Sequence, residues 1–329
     1  MPKKLTHRNH YLPQKYQFGF ANKENRIWIY DRVHKAFRKG TPLNTGIEND
    51  FYTTVDKDGA ENDAVEKLLA TLEGATWPAI DMLESRVERL DITDRVHLSL
   101  FIALMKTRVP AFDKQQSHLT ESLVRWTAKM RARSPDVIAE FAKSVGKPID
   151  DERAKRVFES IHEDGFGIEV PRQNNIKGML ELSISIGREL VSMDWTVLHI
   201  DSEDNSFITS DNPFILLPPT NLDSSTFGFG ILTPGAASII PLSRKIALCM
   251  RPTQGESLRH ERAPKDFVRF INAQVAANSD RIIIGKDEAL LRKLVKITKA
   301  DQWRNDFKVA MHSSGTTCAE PGIQTADSG

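Results

Sequence analysis

Asp194-Trp195-Thr196-Val197-Leu198-His199-Ile200 marks the point at which the hydrophobic rhythm of the chain changes. Upstream of it, apolar residues recur at the three- and four-residue spacing of helices; from Asp194 onward they follow the pattern of strands. Trp195–Ile200, Phe207–Thr209, Phe214–Leu217, Ser238–Ile240 and Ile246–Met250 read as strands, punctuated by Pro218, Pro219, Gly228, Gly230, Pro234 and Gly235. A helix around 266–277, a short strand at 281–284 and a last helix around 288–298 follow.

Residues 62–192, on the other side of the switch, are predicted to be helical. Val65, Leu68, Leu69 and Leu72 share one face behind Asn62 as an N-cap. A second helix is predicted to open at Pro78, with Ile80, Leu83, Val87 and Leu90 on one stripe. The helix of about 93–107 is apolar nearly all round, which assigns it to the middle of the core, and Pro110 is expected to end it. Leu119, Leu123, Trp126 and Met130 mark a long amphipathic helix. Ser134 and Pro135 then cap and open another, stopped by Gly146, and helices of about 150–162 and 173–192 complete the block. Further upstream, Arg26-Ile27-Trp28-Ile29-Tyr30 and Phe51-Tyr52-Thr53-Thr54-Val55 have strand composition.

Strands, then helices, then strands again is not the βαβ alternation of a parallel sheet. The order predicts an α+β fold in which N- and C-terminal strand blocks share one mainly antiparallel sheet packed on the central helical block. Residues 10–300 are expected to form a single domain, 1–9 a basic N-terminal arm, and 309–329, which lack apolar periodicity, a disordered tail.

Hydrophobic residues at 40% and charged residues at 27% are globular proportions and exclude general disorder. No segment approaches the ~18–20 uninterrupted apolar residues of a membrane span. The N-terminus lacks the apolar stretch of a secretory signal, and two cysteines, Cys249 and Cys318, offer no disulfide framework, so a cytoplasmic location is expected. Charge is uneven. Ten cations and two anions fall in residues 1–40, so that stretch carries +8 and the remainder −7 against a total of +1. A basic end of this kind suggests an anionic partner.

Several familiar sites are absent. Gly228-Phe229-Gly230 has Thr233 where a dinucleotide fingerprint needs glycine, and no phosphate loop, His-Glu-x-x-His or Gly-x-Ser-x-Gly occurs. Three polar clusters remain. His7-Arg8-Asn9-His10-Tyr11-Leu12-Pro13-Gln14-Lys15-Tyr16 gathers imidazoles, amides, phenols and cations, the groups that bind phosphate or move protons near neutral pH; as a plain alternative it is a polar arm anchored by Tyr16, Phe18 and Phe20. Glu48 and Asp50, if extended, point to the same side about 6–7 Å apart and suit a shared cation or split acid and base roles; as a plain alternative they form a solvated strand face or cap a turn. In Thr209-Ser210-Asp211-Asn212-Pro213 a strand runs into a turn that places Asp211 at its end, as a site or as an ordinary Asx-turn. Arg108 is a substrate-binding candidate or a complement to a helix dipole.

His10-Tyr11-Leu12-Pro13-Gln14-Lys15-Tyr16, then Phe20, Ile29-Tyr30-Asp31, Glu48-Asn49-Asp50-Phe51-Tyr52, Phe101-Ile102-Ala103-Leu104 with Arg108, Thr209-Ser210-Asp211-Asn212-Pro213 and Pro241-Leu242-Ser243 occur in that order. The set resembles an uncharacterised bacterial and fungal domain-of-unknown-function family, over roughly residues 10–285. Gln17 departs from the aliphatic residue expected after the tyrosine. The resemblance groups these segments but implies no settled activity.

Two functions compete. One is a metal-dependent hydrolase of phosphodiesters or other phosphates, a nuclease among them. It would use His10, Glu48, Asp50 and Asp211 as catalytic groups, Mg²⁺ or Mn²⁺ on Glu48, Asp50 and Asp211, and Arg8, Gln14, Lys15, Asn212 and Arg108 on substrate. The alternative is a non-catalytic module whose basic, aromatic N-terminal block (Tyr11, Tyr16, Trp28, Tyr30) binds nucleic acid. A small anionic ligand in a helix–sheet cleft is a third possibility, and oligomeric state is not legible.

Overall fold

A computed structural model of the chain describes residues 7–55, 58, 60–219, 228–253 and 255–298. The tail at 309–329 and the first six residues of the arm lie outside the described residues. The N-terminal block contains β1 (Arg8–His10), α1 (Gln14–Phe18), β2 (Ile27–Asp31), β3 (Ala36–Gly40), β4 (Ile47–Asn49), β5 (Thr54–Val55) and β6 (Glu61–Asn62). The helical block follows as α2 (Ala64–Glu84), α3 (Ile92–Thr107), α4 (Pro110–Arg131), α5 (Pro135–Ser144), α6 (Asp151–His162) and α7 (Arg172–Ser192). The last block is β7 (Asp194–His199), β8 (Thr209–Ser210), β9 (Ile215–Leu217), β10 (Ala237–Pro241), β11 (Ile246–Arg251), β12 (Leu258–Arg262), α8 (Lys265–Asn278), β13 (Ile282–Gly285) and α9 (Glu288–Thr298).

The fold is α+β with mostly antiparallel pairing. The expected sheet shared by both strand blocks exists as a four-stranded sheet in the order β3-β2-β13-β8, in which β13 sits between N-terminal β2 and β8 of the last block. A second, five-stranded sheet in the order β12-β7-β11-β10-β9 is built from the last block alone, and β12 joins β7 in parallel. The strand switch at Asp194 thus opens a sheet of its own. Along β7, Trp195, Val197 and His199 point into the core while Asp194, Thr196 and Leu198 face the other side, the period-two alternation of a strand.

α3 is the central helix. Leu98, Phe101, Ile102, Ala103, Leu104 and Met105 are buried, and Asp91 caps its N-terminus by accepting from the Asp94 amide at 2.7 Å. It packs against α2 and α7. Gly187 on α7 allows that approach, because a Cβ there would lie 2.8 Å from a methyl of Leu100. One continuous apolar cluster runs from Tyr11 to Leu294 and joins both sheets to these helices.

One helix boundary differs from expectation. The predicted break at Pro78 is absent: α2 runs straight through it, 21 residues in one piece. Buried Trp77, Ala79, Ile80 and Leu83 hold this stretch to the core. Tertiary burial outweighs one missing hydrogen bond. α3 ends at Thr107 before Pro110, as expected, and Pro110 opens α4 as its first residue.

Candidate functional site

The N-terminal motif is threaded through the molecule. β1 begins at Arg8 and pairs antiparallel with β4, so that Asn9 faces Glu48 and His10 faces Ile47. Tyr11, Leu12, Tyr16 and Phe20 are buried. The Tyr16 hydroxyl donates to the Pro241 carbonyl at 2.7 Å and lies 2.8 Å from the Thr209 hydroxyl. A phenol has one proton, so Thr209 donates back to it. One side chain therefore ties the opening motif to both the Thr209–Pro213 and Pro241–Ser243 motifs. Gln17, fully buried, donates to the carbonyls of Leu12 and Thr45 at 2.7 and 2.8 Å, which gives its departure from an aliphatic residue a structural use.

Arg108 holds the same segment from the helical side. Its guanidinium donates to the carbonyls of Tyr11 (2.9 Å) and His10 (2.6 Å) and pairs with Glu73 at 2.7 Å. The side chain is buried, so this candidate substrate ligand is spent on the scaffold and not offered to a ligand. His10 is half-buried. Its Nε2 lies 3.3 Å from the Leu43 carbonyl, which can only accept, so Nδ1 is left to accept from Gln14 at 3.5 Å. Burial, the largest cause, depresses its pKa, and both ring nitrogens are engaged.

The expected pairing of Glu48 and Asp50 on one strand face does not form. β4 ends at Asn49, and Asp50 adopts φ +53°, turning the chain. Asp50 then accepts from His7 at 2.7 Å and from the Thr53 hydroxyl at 3.3 Å. Asp211 is fully buried and used up by three backbone amides: Asp280 at 2.9 Å, Arg281 at 2.6 Å and Ile282 at 3.0 Å. Burial pushes its carboxyl up to about 6, although those amides pull the other way. Asn212 donates to the Asn278 carbonyl while Asn278 donates back to the carbonyls of Asn212 and Phe214. The Thr209–Pro213 turn therefore clasps the end of α8 to the start of β13.

Partial convergence occurs around Tyr11. Burial raises its phenol well above the ordinary value; the charges of Asp211, Glu48 and Asp280 raise it further and Arg281 opposes them. The charges of two of the expected carboxylates thus bear on one hydroxyl. Glu48 Oε2 is buried and has no hydrogen-bond partner among the described residues. Among the described residues no three His, Cys, Asp or Glu side chains gather as ligands for an ion. The expected trio of Glu48, Asp50 and Asp211 is separated because Asp50 is turned toward His7 and Asp211 is saturated by amides.

The basic block has a different character. Arg8, Lys15, Lys23, Arg26, Lys35, Arg38 and Lys39 are all exposed, and none pairs with a described carboxylate. Elsewhere Arg86, Lys114, Arg125 and Arg244 all find acidic partners. Arg32 is the exception within the block, buried against Ser279 at 2.7 Å. Arg38 and Lys39 stand on β3, the edge of the four-stranded sheet, with Lys39 5.6 Å from the Trp28 ring; Lys15 sits 5.1 Å from that of Trp77. Of the aromatics expected to stack on bases, Tyr11, Tyr16 and Tyr30 are core residues and only Trp28 is part-exposed. Nothing in the local sequence separates these tyrosines from exposed ones, because strand burial is set by tertiary partners.

Among the described residues no helix is long and apolar enough to cross a membrane. Neither the curated proteins nor the solved structures contain a match to this chain. Residues 8–289 do match a family described as "Protein of unknown function (DUF4238)", a span that opens with β1 and closes within α9. The contacts of Tyr16, Gln17, Arg108 and Asp211 described above fall inside it, and the chain belongs to the DUF4238 family.

Proposed function

We propose that this protein is a non-catalytic, cytoplasmic nucleic-acid-binding module that grips the phosphate backbone through its basic N-terminal block. The observation that carries the reading is the run of seven exposed cations between Arg8 and Lys39, with no described carboxylate to neutralise them. Exposed cations with no carboxylate partner keep anionic counterions to exchange for phosphates, and that exchange drives phosphate-backbone binding. With three tyrosines in the core, base stacking contributes little, so recognition is indifferent to sequence and sensitive to salt.

The metal-dependent hydrolase is kept as a second reading on one observation, the buried Glu48 oxygen that has no hydrogen-bond partner among the described residues. Its Mg²⁺ or Mn²⁺ lacks a fitting ligand set, since Asp50 and Asp211 are engaged elsewhere, and no step is derived through an ion.

Incubation with single-stranded DNA, duplex DNA and RNA, with and without Mg²⁺ or Mn²⁺, separates the two. Retarded but intact nucleic acid supports the module. Metal-dependent cleavage that disappears in Glu48→Gln would replace it with the hydrolase.

A further inference from the structure

The face of the five-stranded sheet turned away from the core carries a groove of about 290 Å³ that plays no part in the basic block or the motif scaffold. Its floor follows from the strand register. β11 and β12 flank β7, with Arg251 opposite Asp194, Cys249 opposite Thr196, and Arg259 opposite the same Thr196 from the other side. Glu261 lies opposite Leu198, two residues further along. All of these side chains line the groove, and Phe267 of α8 closes one wall.

Neighbouring strands are about 4.8 Å apart and alternate residues about 7 Å apart, so the two arginine Cα atoms stand about 12 Å from each other. Side chains of that length reach a single anion placed between them. Neither arginine forms an ion pair with a described carboxylate. Asp194, the acid nearest them, is already satisfied: the Ser257 amide and hydroxyl reach it at 2.8 and 2.6 Å, and the Thr253 hydroxyl also donates to it. Those hydrogen bonds lower its pKa to about 2, so it stays ionised and locally compensated. Glu261 makes no ion pair either, and it marks the opposite end of the groove as an acceptor.

We propose that this groove binds a small phosphorylated hydroxy compound, its phosphate between Arg251 and Arg259 and a hydroxyl donating to Glu261. Fork-shaped guanidinium groups suit phosphate oxygens, and charge-assisted bonds of this kind are the strong ones. The volume lies at the lower end of ordinary ligand pockets, about 300–1,000 Å³, which suits a single sugar phosphate.

Calorimetric titration with ribose 5-phosphate and with inorganic phosphate, in buffers matched in ionic strength with chloride, tests the assignment. Both probes bind, ribose 5-phosphate the more tightly. Arg251→Gln and Arg259→Gln each weaken both by about tenfold or more, the loss of a hydrogen bond to a charged group. Glu261→Gln weakens the sugar phosphate and leaves inorganic phosphate unchanged. Both arginines are exposed, so each single variant keeps the wild-type thermal midpoint without ligand. Absence of heat with either probe, or binding that survives the arginine variants, overturns the proposal. Equal weakening of both probes by Glu261→Gln overturns the orientation. Arg38→Ala/Lys39→Ala leaves this titration unaffected, which keeps its outcome separate from that of nucleic-acid binding.

Discussion

Arg108 shows how far a residue's role depends on what surrounds it. From the sequence it is a cation one residue past an apolar helix, and either a ligand for substrate or a complement to the helix dipole. In the structure it is buried and fastens the backbone of His10 and Tyr11 while pairing with Glu73. Arg108→Met is expected to destabilise the protein by about 3 kcal/mol or more, because it orphans two carbonyls and a carboxylate. Urea denaturation measures this, and a loss under about 1 kcal/mol would contradict the scaffold role. Asp211 is a comparable case. Its Oδ2 accepts two amides and its Oδ1 a third, so an asparagine must turn its NH₂ toward at least one donor. Asp211→Asn is expected to cost about 2 kcal/mol of stability in the same experiment. The strand and turn around Asp211 were legible, since Asp-Asn-Pro is turn chemistry. The three amides that consume it were not, because they come from a loop far along the chain.

Elements were legible where local chemistry and tertiary packing agree. Ser134 caps α5 and Gly146, at φ +73°, ends it, both as the sequence predicts. Pro78 misled because its cost is local and its compensation is not. The stripe on α4 misled in the opposite sense: Leu119, Leu123, Trp126 and Met130 form one helical face, yet each is about half exposed. Periodicity identifies a face without saying what covers it. Leu123→Lys is expected to leave the thermal midpoint within about 1–2 °C of wild type, since surface substitutions stay within about 0.5 kcal/mol. A larger fall would show that the face is covered in solution.

Between elements, His199 on β7 donates its Nε2 proton to Nδ1 of His260 on β12 at 2.8 Å, while His260 Nε2 donates to the Val87 carbonyl at 2.9 Å. The carbonyl can only accept, which fixes both tautomers. Burial first, then Arg86 and His260, depress His199 from 6.5 to about 4, with Asp201 opposing. A depressed histidine binds its proton more readily when unfolded, so this stabilisation is complete above pH 6.5 and is lost as pH falls toward 4. The raised carboxyl of Asp211 acts in the opposite sense and cancels when wild type is compared with His199→Gln. Thermal midpoints at pH 7, 5.5 and 4 are expected to show the wild type losing ground to that variant at each step down. A constant difference would contradict the buried pair.

At the scale of the molecule, the helical middle, both strand blocks and their union in one sheet could be read in advance, because each rests on periodicity and block order. The second sheet could not, since nothing local specifies which strands of the last block pair among themselves. The charge imbalance of residues 1–40 was equally legible, and among the described residues seven of its cations are exposed without an ion pair to a described carboxylate. The motif clusters did converge, but as the packed and hydrogen-bonded centre of the DUF4238 scaffold, with Tyr16, Arg108 and Asp211 as its fasteners. Sequence reasoning recognises polar groups that belong together. It does not reveal whether they face a ligand or each other.

Fluorescence anisotropy of a labelled single-stranded oligonucleotide, titrated with protein across a salt series, tests the central claim most directly. The account predicts binding that weakens linearly on a log–log plot, with each lost phosphate contact reducing the slope by about 0.7, so that Lys35→Ala/Arg38→Ala/Lys39→Ala flattens it by about 2. Binding that is absent at low salt, or a slope unchanged in that variant, would contradict it.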